Sequence, residues 1–401
     1  MPHPTLSTCT VVFVGIIVAV LALGARAESD EKALPPVEKL PAINQLPDPF
    51  EIGPKTRLQT REHWAARRAE LRDLILGYEY GRIPTETSPV SAQETGSDQD
   101  AATGAAVHQF TLKMGPGGKV SVPLVLTIPA GKGPFPIIIK GDLCWGRVKP
   151  LIVADVVKRG YILAEFDRTA VAPDKNDRSQ GVYPLYPGYD WGALAAWAWG
   201  FSRVIDYVST RDDVDRAKII VTGHSRGGKA ALLAGALDER VALTVPNGSG
   251  AGGGGCFRVQ YPLTETLQAI DTRFPYWFAP QFAQFIGHVD QLPFDQHELR
   301  ALVAPRALFS TDSVDDLWAN PMGTQISFEA SREVYQFLGV PEKIGLHYRH
   351  GKHEQNEEDF AALLDFADWQ LMGKEPAQKF DALPYPNLPP AYKWAAPQSA
   401  K

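Results

Sequence analysis

From residue 107 onward, short apolar runs alternate with longer stretches whose apolar positions recur at helical spacing. The strand-like runs are Val107 to Leu112, Val120 to Ile128, Pro136 to Ile139, Tyr161 to Phe166, Ile219 to Thr222, Leu243 to Val245, Ala307 to Thr311 and Ile344 to Tyr348. Between them the pattern predicts helices around Trp191 to Ser209, directly after Ser225, around Ser327 to Leu338 and from Glu357 to Leu371. An earlier helix is expected from Glu62 to Leu76, where Trp64, Leu71, Leu74 and Leu76 mix with paired arginines. Strands and helices alternating in this way argue for a mostly parallel central sheet with helices on both faces, a three-layer α/β sandwich.

The remaining segments read differently. Residues 28–50 carry Pro35, Pro36, Pro41, Pro47 and Pro49 and are expected to form an extended lead-in over the surface. Residues 86–105, rich in Ser, Thr, Gln and Asp, are expected to form a mobile loop, and the Pro-rich tail after Pro376 to pack as coil. The first 27 residues hold one charged side chain, Arg26, and an apolar run from Val11 to Leu23 that ends in Ala25-Arg26-Ala27. This is the pattern of a secretory leader cut after Ala27, which would leave residues 28–401 as one domain, expected in the periplasm or the medium.

With 40 basic and 46 acidic side chains the formal charge is −6, which argues against nucleic-acid and anionic-membrane partners. No C-x-x-C, H-E-x-x-H or P-loop pattern occurs, so neither a metal nor a nucleotide cofactor is inferred. The glycine run Gly248 to Gly255 lacks the Lys-Ser/Thr ending that phosphate binding needs and reads instead as a loop that passes close to something. Cys144 and Cys256 could pair, although nothing in their spacing requires it. The protein is expected to act as a monomer.

The chemistry concentrates at Gly223-His224-Ser225-Arg226-Gly227. A strand-like run precedes this pentapeptide and an Ala/Leu-rich stretch follows it, the context of a nucleophile elbow. There the chain turns too sharply for side chains beside the serine, so glycines flank it and the hydroxyl is pushed out above the sheet. The new helix also aims free N–H groups at the position of a developing oxyanion.

A serine hydroxyl needs a base within hydrogen-bond reach and an acid to orient that base. On this architecture the order along the chain is Ser, acid, His. The strand Ala307 to Thr311 is followed by Asp312, Asp315 and Asp316, and the next strand ends in His347-Tyr348-Arg349-His350-Gly351-Lys352-His353. His353 and Asp316 are the chosen base and acid, with His350 and Asp315 as substitutes. Arg226 can pair with a surface acid or reach the oxyanion, and Lys229, one helical turn beyond Ser225, can point into the same pocket. Two cations beside one nucleophile suggest a polar, oxygen-rich substrate.

With Ser225-Arg226-Gly227-Gly228-Lys229 the chain resembles the glucuronoyl esterase family of carbohydrate esterases, in its bacterial type. Leu46 to Phe50, Tyr78 to Pro84, Leu237 to Val241 and Leu302 to Arg306 support the likeness, which runs over most of the mature chain. The resemblance implies an α/β-hydrolase fold and cleavage of the ester between (4-O-methyl-)glucuronic acid on xylan and an alcohol, thought in plant walls to belong to lignin. It implies Ser225 as nucleophile, His353 as base, Arg226 in the oxyanion hole, Lys229 on the sugar hydroxyls and Trp318 lining the sugar pocket. Many members carry the triad acid as a glutamate after the strand that follows the elbow helix, where this chain has Gly248. The acid is therefore expected at Asp316, as in other members. Family members commonly have Gly-Glu where Thr264-Glu265 stands, so the glutamate that reaches the sugar is kept and the glycine is not. Two other readings remain: another exported serine hydrolase, such as an acetyl xylan esterase or a peptidase, and a silent carbohydrate-binding protein on the same fold.

Overall fold

Consecutive residues of a strand face opposite sides of a sheet, and the central strands here are apolar at nearly every position, so both faces must be covered. The computed structural model describes residues 1–2, 34–53, 56–86, 88–376 and 378–398; the expected leader lies outside them apart from its first two residues. Pro35–Lys401 form one compact unit.

A small hairpin, β1 (Glu51–Gly53) with β2 (Thr56–Arg57), and helix α1 (Trp64–Ile75) come first. The main sheet has nine strands: β3 (Ser91–Gln99), β4 (Ala106–Met114), β5 (Val120–Ile128), β6 (Phe135–Lys140), β7 (Ile162–Phe166), β8 (Val214–His224), β9 (Val241–Asn247), β10 (Ala307–Ser313) and β11 (Ile344–Arg349). Their spatial order is β11-β10-β9-β8-β6-β7-β5-β4-β3. The stretch from β11 to β7 is parallel, and β5, β4 and β3 extend it antiparallel. The crossovers carry α2 (Pro150–Lys158), α3 (Arg168–Val171), α4 (Ala193–Val208), α5 (Arg226–Leu237), α6 (Leu267–Arg273), α7 (Gln296–Ala301), α8 (Pro321–Leu338) and α9 (Glu357–Met372).

The strand alternation divides the core. Ile137, Ile139, Ile219 and Val221 pack with α4, α5 and α8, whereas Ile138, Ile220 and Phe309 pack with α2 and α9. This is the three-layer α/β sandwich expected from the pattern. Among the described residues no helix is long and apolar enough to cross a membrane.

The expectation of a mobile loop over residues 86–105 is corrected: residues 91–99 are strand β3, paired with β4 from Ser91↔Lys113 to Gln99↔Ala106. Only Gly96 of this strand is even half-buried, so the side chains carry no apolar period, and the backbone ladder alone defines the strand. Helix α8 begins at Pro321, six residues ahead of the expected start at Ser327, because Asn320 in a left-handed conformation caps it by accepting from Gly323 N–H (3.0 Å). The tail packs without helix or strand, and Trp394 Nε1 donates to Leu46 O (2.8 Å). Cys144 and Cys256 are free thiols, which burial pushes up to about 11 and about 12 respectively.

Glu79, fully buried after α1, accepts from Gln296 Nε2 at both carboxylate oxygens (3.0 and 2.9 Å), and burial pushes its carboxyl up to about 8. Between 4.5 and about 8 the folded chain therefore holds a proton that the unfolded chain has released, so stability falls as pH rises through that window. Glu79→Gln removes this contribution. Its melting temperature relative to wild type is expected to rise between about pH 5 and pH 8 and to level off above that; a pH-independent difference in thermal unfolding would contradict the buried-carboxyl account.

Candidate active site

The parallel strands end on one edge of the sheet, and the loops beyond β6, β8, β9, β10 and β11 meet there. At the end of β8 the chain turns through Ser225, whose φ of 54° and ψ of −122° lie outside the regions a side-chain-bearing residue ordinarily adopts. Ser225 N–H donates to Asn247 O at the end of β9 (2.9 Å), which fixes the turn. A Cβ on Gly223 would lie 2.3 Å from Gly227 O, and one on Gly227 would lie 2.0 Å from Asp142 Oδ1. The flanking glycines are required by these approaches.

Ser225 Oγ lies 2.8 Å from His353 Nε2, and His353 Nδ1 makes a short hydrogen bond to Asp316 Oδ2. Because an aspartate accepts, Nδ1 carries the proton and Nε2 is left to receive the serine's. The substitutes, His350 and Asp315, pair with each other instead (3.1 Å) in an exposed position away from the serine. Gly248, where many members of the resembled family carry the acid, faces the same imidazole, since a Cβ there would lie 3.7 Å from His353 Cε1.

The loop bearing His353 is wound around a buried cation. Arg349, the last residue of β11, donates to His350 O (3.0 Å), Lys352 O (3.3 Å) and Glu354 O (2.5 Å), and its Nε is held by Asp359 Oδ2 (2.8 Å). Ser313 Oγ donates to Gly351 O (2.6 Å) from the neighbouring strand. Two residues past the histidine, Gln355 accepts from Lys140 Nζ (2.5 Å) and donates to Thr222 Oγ1 (3.1 Å) in the elbow strand.

A second buried group supports the elbow. Asp142, just past β6, accepts from Lys140 Nζ (2.5 Å), Arg168 Nη1 (2.5 Å) and His224 N–H (2.9 Å). Burial pushes its carboxyl up, but Lys140 and Arg168 outweigh it and hold the carboxyl below its ordinary value. His224 itself is kept neutral, its imidazole pushed down to about 4 by burial and by the neighbouring His353, whose ring centroid lies 4.4 Å away. Asn247 Nδ2 donates to Thr311, so its Oδ1 accepts from His224 Nδ1 (2.6 Å), which fixes the tautomer.

Arg226 Nη1 donates to Asp174 Oδ2 (2.6 Å), and its guanidinium lies over Trp277 (4.7 Å) and Phe274 (5.0 Å). Asp174 is held in turn by Trp277 Nε1 (2.9 Å) and Tyr276 OH (3.1 Å), and no described residue engages Nη2 of Arg226. Lys229 is buried, and burial pushes its ammonium down; it donates to Ser249 O (2.7 Å), Ala251 O (2.5 Å) and Glu265 Oε2 (2.8 Å). The glycine run thus passes close to this ammonium. Glu265 N–H donates to Trp318 O (3.0 Å), and Trp318 is 40 % exposed beside the Asp316 turn. The sequence reading missed Asp142, His224, Asn247, Asp174 and Arg349. A serine paired with an oriented imidazole, donors for an oxyanion and a polar rim together suit acyl transfer from a polar ester.

The family described as "Glucuronyl esterase, fungi" matches residues 114–339 of this chain. A 4-O-methyl-glucuronoyl methylesterase of Podospora anserina is 34% identical over 322 residues, 76% of this chain and 63% of the relative, so the chain spans under two thirds of that protein's length. Another of Schizophyllum commune is 35% identical over 313 residues, 75% of each chain. Among solved structures, a carbohydrate esterase family 15 glucuronoyl esterase from Caldicellulosiruptor kristjansonii superposes with a TM-score of 0.77 at 34% identity, covering 90% of this chain and 99% of its own.

The close approach of Gly227 to Asp142 gives a direct test of the elbow. Gly227→Ala is expected to destabilise the fold by about 1–3 kcal/mol in urea unfolding, whereas Gly53→Ala, where an added methyl meets nothing within 4 Å, serves as the near-neutral control.

Proposed function

Since the chain belongs to the glucuronoyl esterase family, we propose that its Ser225, His353 and Asp316 hydrolyse the ester between the carboxyl of (4-O-methyl-)glucuronic acid on xylan and an alcohol. The observation that carries this reading is the hydrogen-bonded line from Asp316 through His353 to Ser225, beside a cation held by Asp174.

In the acylation step His353 Nε2 takes the hydroxyl proton as Ser225 Oγ attacks the uronate carbonyl. The tetrahedral oxyanion is held by the free N–H groups at the start of α5 and by Arg226. His353 then gives the proton to the departing alkoxide, and the alcohol leaves. Water, deprotonated by the same nitrogen, attacks the acyl-enzyme and releases the uronic acid with Ser225 restored. Glu265, Trp318 and Lys229, with the loop it organises, line the acyl side. Trp318 offers a flat apolar face and Glu265 an acceptor to a sugar ring. Export by the leader of residues 1–27 would bring the enzyme to plant-wall polysaccharide.

Ser225→Ala and His353→Ala are each expected to lower kcat on benzyl glucuronate by roughly three to six orders of magnitude, and Asp316→Ala by roughly two to four. Near-wild-type turnover by Asp316→Ala would overturn the acid assignment. Faster release of acetate from acetylated xylan than cleavage of the uronate ester would make the enzyme an acetyl esterase; sugar binding with no turnover would make it a silent binder.

A further inference from the structure

A cavity of about 570 Å³ opens between the lead-in and the tail. Its walls include Asn44 and Gln45 of the lead-in, Tyr392 and Lys393 of the tail, and Arg258 and Val259 of the loop that follows the glycine run. Ser225, His353, Lys229, Glu265 and Trp318 are all absent from its lining, so it is separate from the catalytic site. The volume lies within the roughly 300–1,000 Å³ of ordinary small-molecule sites.

The walls are fixed by groups that are already satisfied. The Arg258 side chain, 6 % exposed, donates to Ile43 O (3.1 Å), Phe294 O (2.7 Å) and Leu292 O, and its charge is met by Asp295 Oδ2 (3.2 Å). Leu46 N–H donates to Ala391 O (2.9 Å), which joins lead-in to tail. The Tyr392 ring stacks on Trp394 with centroids 4.3 Å apart, and Trp394 is itself held by Leu46 O. The remaining groups are free. Among the described residues the side-chain amides of Asn44 and Gln45 and the ammonium of Lys393 make no hydrogen bond or ion pair, and no carboxylate side chain lines the cavity. Burial, and after it Glu333 and Glu329 of α8, push the Tyr392 hydroxyl up, so it stays protonated; neither acid lines the cavity.

An aromatic face, two amides and an ammonium with no opposing carboxylate suit a sugar ring that carries a carboxylate. The cavity is also within reach of the same polysaccharide as the acyl side. Glu265 stands six residues beyond Val259, a separation of at most about 20 Å along the chain. Asn320, two residues past Trp318, ties the two regions by donating from Nδ2 to Val259 O (3.1 Å). We propose that this cavity is a second carbohydrate site, one that takes an unesterified uronate branch of the substrate polysaccharide, with Lys393 on the carboxylate and Tyr392 against the ring. The proposal rests on the glucuronoxylan reading above and adds a foothold remote from the chemistry. A polymer held there presents a neighbouring ester to Ser225 at raised effective concentration and leaves the chemical step unchanged.

The probe is a xylo-oligosaccharide carrying one free glucuronate branch, titrated calorimetrically into the full chain bearing Ser225→Ala, beside the unbranched oligosaccharide. Adding Lys393→Glu or, separately, Tyr392→Ala is expected to weaken one binding component at least tenfold, and salt to weaken that same component. The acyl pocket, which also accommodates a uronate, supplies the component that both variants keep. In the active chain the same two substitutions are expected to leave kcat/KM on benzyl glucuronate unchanged, since that ester has no second branch, and to lower kcat/KM on esterified glucuronoxylan about three- to tenfold. Lys393 is exposed, so Lys393→Glu reports on the site even where Tyr392→Ala disturbs the tail. Unaltered binding of the branched oligosaccharide by Lys393→Glu, or equal affinity of the Ser225→Ala chain for the unbranched one, would overturn the site. Failure of wild type to turn over benzyl glucuronate while the Lys393-dependent binding persists would remove the esterase reading and leave the site standing.

Discussion

A serine forced into a left-handed turn is the constraint on which the rest of this site depends. At φ 54° the chain reverses within one residue, so Gly223 and Gly227 meet across the turn, and Asp142 fits only because Gly227 has no side chain. The strain is of the order of 1–3 kcal/mol, and it is offset by bonds that do not come from the turn itself. Asn247 O receives the serine N–H, and Asp142 receives the N–H of His224. The hydroxyl is thereby presented at one place, and His353 needs to be held only at the matching one.

That second placement is made by buried charge. Arg349 organises three carbonyls of the histidine loop, Lys140 ties Gln355 to Asp142, and Lys229 gathers the glycine run and Glu265. In each case a long cation replaces its hydration shell with protein oxygens and is neutralised by a carboxylate. Such arrangements add little net stability over apolar packing, but losing one partner costs about 3–5 kcal/mol. They specify one loop conformation, which catalysis needs, through groups that solvent does not reach.

The nucleophile, its base and its acid were legible because each obeys a rule of chain order. Ser225 stands between strand and helix, and Asp316 and His353 stand beyond the last two parallel strands. The supports were not legible, because no rule of spacing joins them to the site. Asp174 lies 52 residues ahead of its partner Arg226, and Arg349 looks like any charged residue at a strand end. The central layers could be read from apolar alternation, whereas β3 could not, since all its residues but Gly96 are exposed. Helix α2 was missed for the opposite reason: Leu151-Ile152-Val153 and Val156-Val157 are apolar and mostly β-branched, and they form a helix only because Pro150 starts it and the sheet face takes up Ile152 and Val156.

The two described cysteines stand apart, one in the loop next to Trp145 and the other under α8, and neither is bonded to another sulfur. No covalent cross-link among the described residues therefore contributes to the fold, and burial keeps both sulfurs in the protonated, unreactive form. The described residues are held together by packing, hydrogen bonds and buried ion pairs such as Lys229–Glu265 and Arg349–Asp359.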